Sequence, residues 1–529
     1  CTMARTFVLL AALVALSATA TATNPPGLRV AITDPGLTEF KNIALPIINA
    51  ALQDVTLPDM NLQEHVPVLG HISLDLSNMK VTGFRLPNAV LAVSSPPQFT
   101  MDMSGLTLQV SLNYRWRKVH WPHVSDHGSV TATPQGGNVD LTMSIGSSGG
   151  HVVLDTTNAA VSFSSFKIHF SGKVSWLYNL LVGLFKGSIK KAVQSAVQKQ
   201  LQNAVDTSLN KALARIKLTD TLGGGKSRVN VNVGVVDITA GSDYLSLGDM
   251  LAISNNMTGA ACPIVPHTLP SLAPGAAGSM LQLLLDDSFL NCVSWSATSN
   301  GALTTTLTDA SLPKAFPLRL NTSDWGKLIP ELQAKYPDRP MQLLLSPQAA
   351  PSITSSASGV TGEMAFALNF SVVTTAGTPT PVFAFASSLA LGLNVQVKPA
   401  ATNPVLVLNI TELELDLTLT GSQVGTINLA PIQSLFHTFL PLLKVILNGF
   451  LSKGFPLPST DGLQLVGPSV EFDAGFLAIA TNFTFATAEA ADAATPAVMK
   501  PTPMVDPMAA QLDALRLGEL VQHLRGSKQ

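Results

Sequence analysis

The sequence predicts an α+β fold in which antiparallel sheets curve around long helices. Several segments alternate apolar and polar side chains with period two, which is typical of strands with one buried face; an example is "LTLQVSLNYRW", residues 106–116. Other segments place apolar residues three and four positions apart, as helices with one buried stripe do. The same succession recurs in the second half of the chain, so we expect an internal duplication.

In the first half, the order of elements is helix, strands, helix. The first helix is predicted to begin at Asp34, an N-cap residue that is followed by a proline at the first helical position, and to end before Leu57. Strands are predicted at residues 106–116, 139–145 and 229–239. The second helix is predicted to run from Tyr178 to Arg215, which at 1.5 Å per residue gives about 55 Å.

In the second half, alternating strands lead into an apolar helix at residues 430–454. An internal Leu-Pro pair in this helix (Leu440–Pro441) matches one in the first helix (Leu45–Pro46), which supports the duplication. A curved sheet wrapped on a slender helix leaves a tubular interior. If such a tube is imperfectly filled, it takes up apolar ligands.

The composition is unusually apolar for 529 residues, with 46% hydrophobic and 12% charged, where an ordinary soluble domain has ~25% charged residues. The one continuous apolar run lies near the start, after Met3 and Arg5, and ends in small residues. We therefore expect a signal peptide at residues 1–22 and a secreted, extracellular, soluble protein. Residues 485–529, rich in Ala and Pro and amphipathic towards the end, are expected to form a flexible tail.

Two cysteines remain in the expected mature chain, Cys262 and Cys292. Export favours one disulfide, with two buried thiols as the alternative. Five N-x-S/T triplets are candidate glycosylation sites: Asn256, Asn321, Asn369, Asn409 and Asn482.

Charge is unevenly distributed along the chain. Residues 24–218 contain 16 Lys and Arg against 11 Asp and Glu, whereas residues 219–529 contain 14 against 22. An anionic partner is therefore expected to bind the first half. So modest an excess, without a basic tract, argues against nucleic acid as a partner.

Motifs along the chain resemble, in order, those of one family. They are "NPPGLRVAITDPGLTEF" (24–40), "LPD" (57–59), "YRWRKV" (114–119), "PELQAKYPDRPMQLLL" (330–345) and "GFPLP" (454–458). The family comprises bactericidal/permeability-increasing protein, lipopolysaccharide-binding protein, phospholipid transfer protein and cholesteryl ester transfer protein. The resemblance covers residues 24–484.

This resemblance implies an elongated boomerang of two pseudo-symmetric antiparallel barrels, each wrapped on a long helix and joined by a central sheet. We expect the N-terminal barrel at residues 24–235, and the central-sheet strands with the C-terminal barrel at 236–484. Each barrel would hold phospholipid in an apolar pocket, with no catalytic centre. The chain departs from the bactericidal branch at the positions of its disulfide, here Ala159 and about Gln198, and its basic tip is thinner, which puts endotoxin specificity in doubt.

Candidate pocket residues follow from the two apolar helices. In the first helix they are Ile43 and Ile47; in the last they are Leu435, Phe436, Phe439, Leu440 and Leu443. Ordinary core packing is the alternative for these side chains.

Cations and aromatic residues concentrate in "YRWRKVHWPHVSDHG", residues 114–128. In the family this hairpin lies at the tip of the first barrel. Arginine suits phosphate and tryptophan prefers the water–lipid boundary, so we expect this tip to dock anionic lipid head groups. The alternative is a solvated strand end whose charges protect the sheet edge. The candidate head-group residues are Arg115, Trp116, Arg117, Lys118, His120, Trp121 and His123.

Histidines in the same stretch, at 120, 123 and 127, raise the question of a metal site. Zinc needs three or four converging ligands on rigid elements, which this loop does not offer, so added positive charge below pH ~6.5 is the preferred interpretation. The chain has no G-x-S-x-G or H-E-x-x-H motif, so we expect neither an enzyme nor a cofactor, only bound phospholipid.

Three functions remain open from the sequence. The first is recognition of lipopolysaccharide or another anionic membrane lipid in innate defence, by a monomer that docks on a membrane surface. The second is transfer of the organism's own phospholipids. The third is a structural extracellular glycoprotein without lipid.

Overall fold

The computed structural model describes most of the chain between residues 24 and 485. The described ranges are 24–53, 56–66, 70–171, 175–223, 225–274, 278–312, 318–398, 404–452, 454–456 and 463–485. The expected signal peptide, and the expected tail from residue 486 onward, lie outside them.

An antiparallel sheet forms the first half-barrel, with strand order β2-β4-β6-β7-β8; β3 pairs with β4 and β5 with β6. Its buried face is lined by alternate residues, because successive side chains of a strand point to opposite faces. The strands are β2 (Thr56–Leu57), β3 (Met60–Val66), β4 (Gly70–Arg85), β5 (Asn88–Ser94), β6 (Gln98–Lys118), β7 (Ser125–Ser148) and β8 (His151–Phe170).

A second antiparallel sheet forms the second half-barrel, with order β13-β14-β16-β17-β18-β19 and β15 paired to β16. Its strands are β13 (Thr305–Thr308), β14 (Met341–Pro347), β15 (Ser352–Ser356), β16 (Gly359–Val373), β17 (Pro379–Lys398), β18 (Val405–Ser422) and β19 (Phe455–Pro456).

A central sheet joins the two halves, because it takes strands from both. Its order is β20-β21-β12-β1-β11-β10-β9. The strands are β1 (Leu28–Thr33), β9 (Thr219–Leu222), β10 (Val229–Ala240), β11 (Tyr244–Asn255), β12 (Leu281–Asp286), β20 (Leu463–Asp473) and β21 (Phe476–Phe485). The expected boundary at residues 235 and 236 falls within β10.

The helices follow the predicted order. They are α1 (Asp34–Gln53), α2 (Ser175–Asn203), α3 (Asn210–Leu213), α4 (Ser288–Ser299), α5 (Thr322–Trp325), α6 (Pro330–Lys335) and α7 (Leu429–Leu451), with 3-10 turns at Gly225–Ser227 and Asp309–Ser311. A π-helical segment, Ala204–Leu209, connects α2 to α3, and we call the three together the long helix. The prediction of a helix from residue 178 to 215 is thus confirmed within a few residues.

The long helix closes the free edge of the first half-barrel through polar side chains, along a line that we call the seam. Lys190 donates to the backbone oxygen of Phe163 (3.0 Å) and Gln194 to that of Val161 (2.8 Å). Further along, Asn210 accepts the N–H of Leu154 (2.8 Å) and donates to its carbonyl (2.7 Å). These helix side chains therefore replace the partner strand that β8 lacks on this side.

The second half-barrel has a seam of the same kind. Asn448 of α7 accepts the N–H of Ile410 (2.6 Å) and donates to its carbonyl (3.2 Å), while Lys444 donates to the oxygen of Thr411. In both order and contacts, α7 therefore corresponds to the long helix. From the shared Leu-Pro pairs, the sequence had instead predicted that α7 matches α1. The internal duplication is present, but this matching of helices was wrong.

One apolar core fills each half-barrel, and another lies between the central sheet and β16, β17 and β18 of the second half-barrel. We call the cores of the two half-barrels the first core and the second core. The first core takes buried residues from α1 and the long helix, such as Ile48 and Val197. The α+β prediction of two similar antiparallel units joined by a central sheet is confirmed.

Candidate functional site

The loop at residues 119–124 lies at the end of the first half-barrel that faces away from the central sheet. The opposite end, the turn between β7 and β8, touches the central sheet, where Val235 donates to the oxygen of Gly150 (2.9 Å). Gly150 has φ +84°, and an added Cβ there would lie 3.1 Å from the Cα of Gly234, so glycine is required. We call the far end, comprising residues 63–66, 70–71, 115–127 and 167–169, the tip.

The two arginines of the tip lie on the solvent-facing side of β6. Arg115 and Arg117 are exposed and Lys118 is half-buried at the strand end. Arg117 is paired with Ser73 and Ser125, whereas Arg115 is paired with Asp75 and His127. Arg117 therefore has no acidic cross-strand partner, and Asp75 offsets part of the charge of Arg115.

The two tryptophans of this stretch have opposite environments. Trp116 is only 4% exposed and belongs to the first core, so the prediction that it meets head groups was wrong. The reason is the strand period, which turns residue 116 inward between two outward arginines. Trp121 is 84% exposed, and Val119 and Val124 flank it at 42% and 50%.

The tip also contains two histidines that were not predicted from the sequence. His65 on β3 and His71 on β4 are directly paired across the strands, with ring centroids 4.8 Å apart. The ring of His120 lies 5.7 Å from that of His71. We call His65, His71 and His120 the histidine cluster; all three side chains are exposed. His123 and His127 lie nearby, on the loop and on β7.

A cleft of about 460 Å³ opens beside the seam, towards the tip. Phe166, Ile168 and Val182 provide its apolar wall, and its polar lining is Thr131, Thr133, Lys167 and His169. Among the described residues, the seam hydrogen bond nearest to this cleft is the one that Lys190 donates to the backbone oxygen of Phe163. The cleft thus lies where the helix and the edge strand are no longer joined by described hydrogen bonds.

Pocket candidates on the helices are only partly visible. Phe436, Leu440 and Leu443 are half-buried and pack against the second core, and Leu435 is half-buried on the same helix. The side chains of Ile43, Ile47 and Phe439 lie outside the described part of the structure.

Each half-barrel core contains a tryptophan whose indole N–H has no hydrogen-bond partner among the described residues. These are Trp116 in the first half-barrel and Trp325 in the second, 4% and 3% exposed. A buried donor without an acceptor is unusual in folded proteins.

Cys262 and Cys292 form a disulfide, with Cα atoms 5.6 Å apart, that ties the segment between β11 and β12 to α4. Of the glycosylation candidates, Asn256, Asn409 and Asn482 are exposed, and Asn369 is half-buried on β16. Asn321 caps α5 by accepting the N–H of Asp324 (2.7 Å).

Two buried carboxyl groups have raised pKa values. Burial raises the pKa of Asp249 on β11 to about 7, against the opposing attraction of Arg29. Arg29 itself pairs with Asp237 at 2.6 Å. Burial also raises the pKa of Asp287, against hydrogen bonds from Ser355. Both groups lie outside the tip, at or next to the central sheet.

Within the described residues, no group of three or more His, Cys, Asp or Glu side chains is arranged to hold a metal ion. In that same part of the chain, no single helix is long and apolar enough to cross a membrane. By length and composition alone one bent pair qualifies, Leu429–Thr438 with Leu443–Gly449, with a bend of 48°.

Two family models match the chain. The N-terminal domain of the LBP / BPI / CETP family matches residues 36–211, and the C-terminal domain of the same family matches residues 252–485.

Characterised relatives match over nearly their whole length. A bactericidal permeability-increasing protein of Sebastes schlegelii is 26% identical, covering 87% of this chain and 95% of the relative. The lipopolysaccharide-binding protein of Homo sapiens is 21% identical (87% and 94%), and the phospholipid transfer protein of Mus musculus is 22% identical (87% and 90%). The crystal structure of a lipopolysaccharide binding protein superposes with a TM-score of 0.58 at 20% identity, covering 88% of this chain and 100% of that structure.

Proposed function

The chain belongs to the LBP / BPI / CETP family, and on that premise we propose that it is a secreted protein of innate defence that binds anionic lipid through the tip. Acyl chains would be held in the apolar interiors of the half-barrels, and the expected ligands are phospholipid and lipopolysaccharide-like lipids. We expect a monomer that works without a catalytic step.

The observation that carries this proposal is the combination of exposed apolar and cationic side chains at the tip. Trp121, 84% exposed, projects from the loop between β6 and β7. Arg115 and Arg117 lie on the strand that leads into this loop. Tryptophan favours the interface of a membrane, and guanidinium groups bind phosphate with two parallel hydrogen bonds. A tip with both can insert its indole between head groups while the arginines bind their phosphates.

Acyl-chain binding is supported by the unpaired indole N–H of Trp116, which is 4% exposed in the first core. An ester carbonyl of a lipid in the first half-barrel would give that N–H an acceptor.

Transfer of phospholipids is the second candidate function. It is favoured by the repetition of the same half-barrel and seam in both halves, since a carrier needs lipid sites and not only a docking tip. The acidic neighbour of Arg115 at the tip favours it as well, because Asp75 weakens the field that would select strongly anionic lipid.

The test is vesicle binding by the variant Arg115→Ser, Arg117→Ser, Lys118→Ser. Each cation near an anionic surface contributes about 1 kcal/mol, so affinity for phosphatidylglycerol vesicles should fall about 100-fold. Affinity for phosphatidylcholine vesicles should not change. The matched control removes three exposed cations from the long helix instead: Lys186→Ser, Lys191→Ser, Lys199→Ser.

If the tip variant and the helix control lose equal affinity, or if neither loses any, the tip is not the docking surface. If phosphatidylcholine is taken up and passed between vesicles as readily as the anionic lipid, transfer is the function. A chain that binds neither lipid would be a structural glycoprotein.

A further inference from the structure

The tip concentrates histidines far beyond their share of the chain. The sequence has ten histidines, and six of them lie at the tip: His65, His71, His120, His123, His127 and His169. Of these, only His120 and His123 were predicted from the sequence to meet head groups.

Backbone pairing brings three of these histidines together. His65 and His71 are directly opposite in the β3–β4 pair. The N–H of Val119 then donates to the carbonyl of His71 at 2.8 Å, and this bond sets the next residue, His120, beside it. The result is a row of three rings with centroid separations of 4.8 and 5.7 Å.

Charged groups of both signs border this row. Arg117 of β6 is paired with Ser73, one row further along the same face as His71, whereas Lys118 is paired with the buried Ile72 and lies on the other face of the sheet. The acidic groups of the adjoining elements are Glu64 on β3, Asp75 on β4 and Asp126 on β7. Asp126 accepts the N–H of His127 (2.8 Å), and Asp75 accepts from the side chain of Asn61.

Neutral imidazoles can pack in this way, but protonated imidazoles repel one another. A bound anion removes that repulsion. Proton uptake by the row and anion binding are therefore linked, so each must favour the other. Imidazole is the side chain that changes charge between about pH 5 and 8, which places this linkage in the physiological range.

We propose that the histidine cluster is a site for the phosphodiester of a lipid head group, and that the site takes up protons when it binds. This rests on the proposed function, because it presumes that the tip meets a lipid surface. It adds a site distinct from the arginines and makes docking stronger as the pH falls.

The experiment measures affinity for phosphatidylglycerol vesicles from pH 7.5 to pH 5.5, because a phosphodiester keeps its single charge over this range. The slope of log affinity against pH equals the number of protons taken up. At least one proton is expected, so affinity should rise about tenfold per pH unit in the steep part of the curve. Phosphatidylcholine vesicles, which carry no net charge, should give a much smaller slope.

Three variants locate the effect. The variant His65→Gln, His71→Gln, His120→Gln should lose most of the slope, so its affinity should fall much more at pH 5.5 than at pH 7.5. The variant His123→Gln, His127→Gln should keep more than half of the slope. His437→Gln, an exposed histidine on α7, should change nothing.

An unmodified protein that binds phosphatidylglycerol equally at all these pH values would overturn the histidine site and leave the proposed docking intact. A slope that survives in the cluster variant, or that disappears in the His123 and His127 variant, would overturn it too. Absence of binding at every pH would instead contradict the proposed function.

Discussion

Replacing Asn210 by leucine should loosen the seam of the first half-barrel. The Asn210 side chain makes two hydrogen bonds to Leu154 of the edge strand, and Leu154 is only 1% exposed. Leucine has a similar shape but no polar atoms, so both backbone groups would lose their partner. At about 1–1.5 kcal/mol for each bond, the loss is about 2–3 kcal/mol.

Amide hydrogen exchange measures this loss where it occurs. If the seam opens locally, about 2–3 kcal/mol corresponds to roughly 30- to 160-fold faster exchange of the Leu154 N–H. The equivalent change in the second half-barrel, Asn448→Leu, should accelerate the Ile410 N–H by a similar factor, because the bonding is the same. Each variant should leave the other amide unchanged, since the two lie in different sheets.

The matched control is Asn203→Leu, an exposed asparagine of the same helix. Exchange at Leu154 that stays within threefold of the unmodified protein, or that rises equally in the control, would show that side chains of the helix do not close the barrel edge.

Three other changes test the rest of the fold. The native protein keeps the proton of Asp249 up to about pH 7, whereas an unfolded aspartate loses it near pH 4. The free energy of unfolding should therefore fall by up to about 4 kcal/mol as the pH rises between these values. Asp249→Asn should flatten this part of the pH profile measured by urea unfolding, and an unchanged profile would contradict the burial of a carboxyl group there. Replacing Cys262 and Cys292 together by alanine opens a loop of about 30 residues and should cost about 3–4 kcal/mol in the same assay, whereas a loss below 1 kcal/mol would show that the disulfide does not constrain the chain. Asn321→Ala removes the cap of α5 and should cost about 1 kcal/mol, and an unchanged free energy of unfolding would show that this cap does not stabilise the fold.

Much of the fold could be predicted because its signals are local. The alternation along β6 correctly placed Arg115 and Arg117 outside, and it also placed Trp116 inside, although Trp116 was still counted among the head-group residues. The apolar stripe of the long helix likewise located that helix within a few residues. The spacing of apolar residues, and the face of a strand or helix on which each side chain lies, depend on residues that are close in the sequence.

Features that depend on pairing between distant segments could not be predicted. His65 lies 55 residues before His120, and only the registers of β3, β4 and β6 bring their rings together. The seam was hidden for the same reason, because nothing in the sequence shows that Lys190 and Gln194 lie beside the free edge of β8. Leu-Pro pairs misled because a two-residue motif says nothing about the order of elements around it.

Lipid content is the most direct test of the central claim, that the two half-barrels hold acyl chains. Native mass spectrometry of the intact protein, purified from a secreting host without detergent, should show bound phospholipid, and a stripped sample should regain it from vesicles. A sample that carries no lipid, and takes up none when it is offered, would contradict this claim.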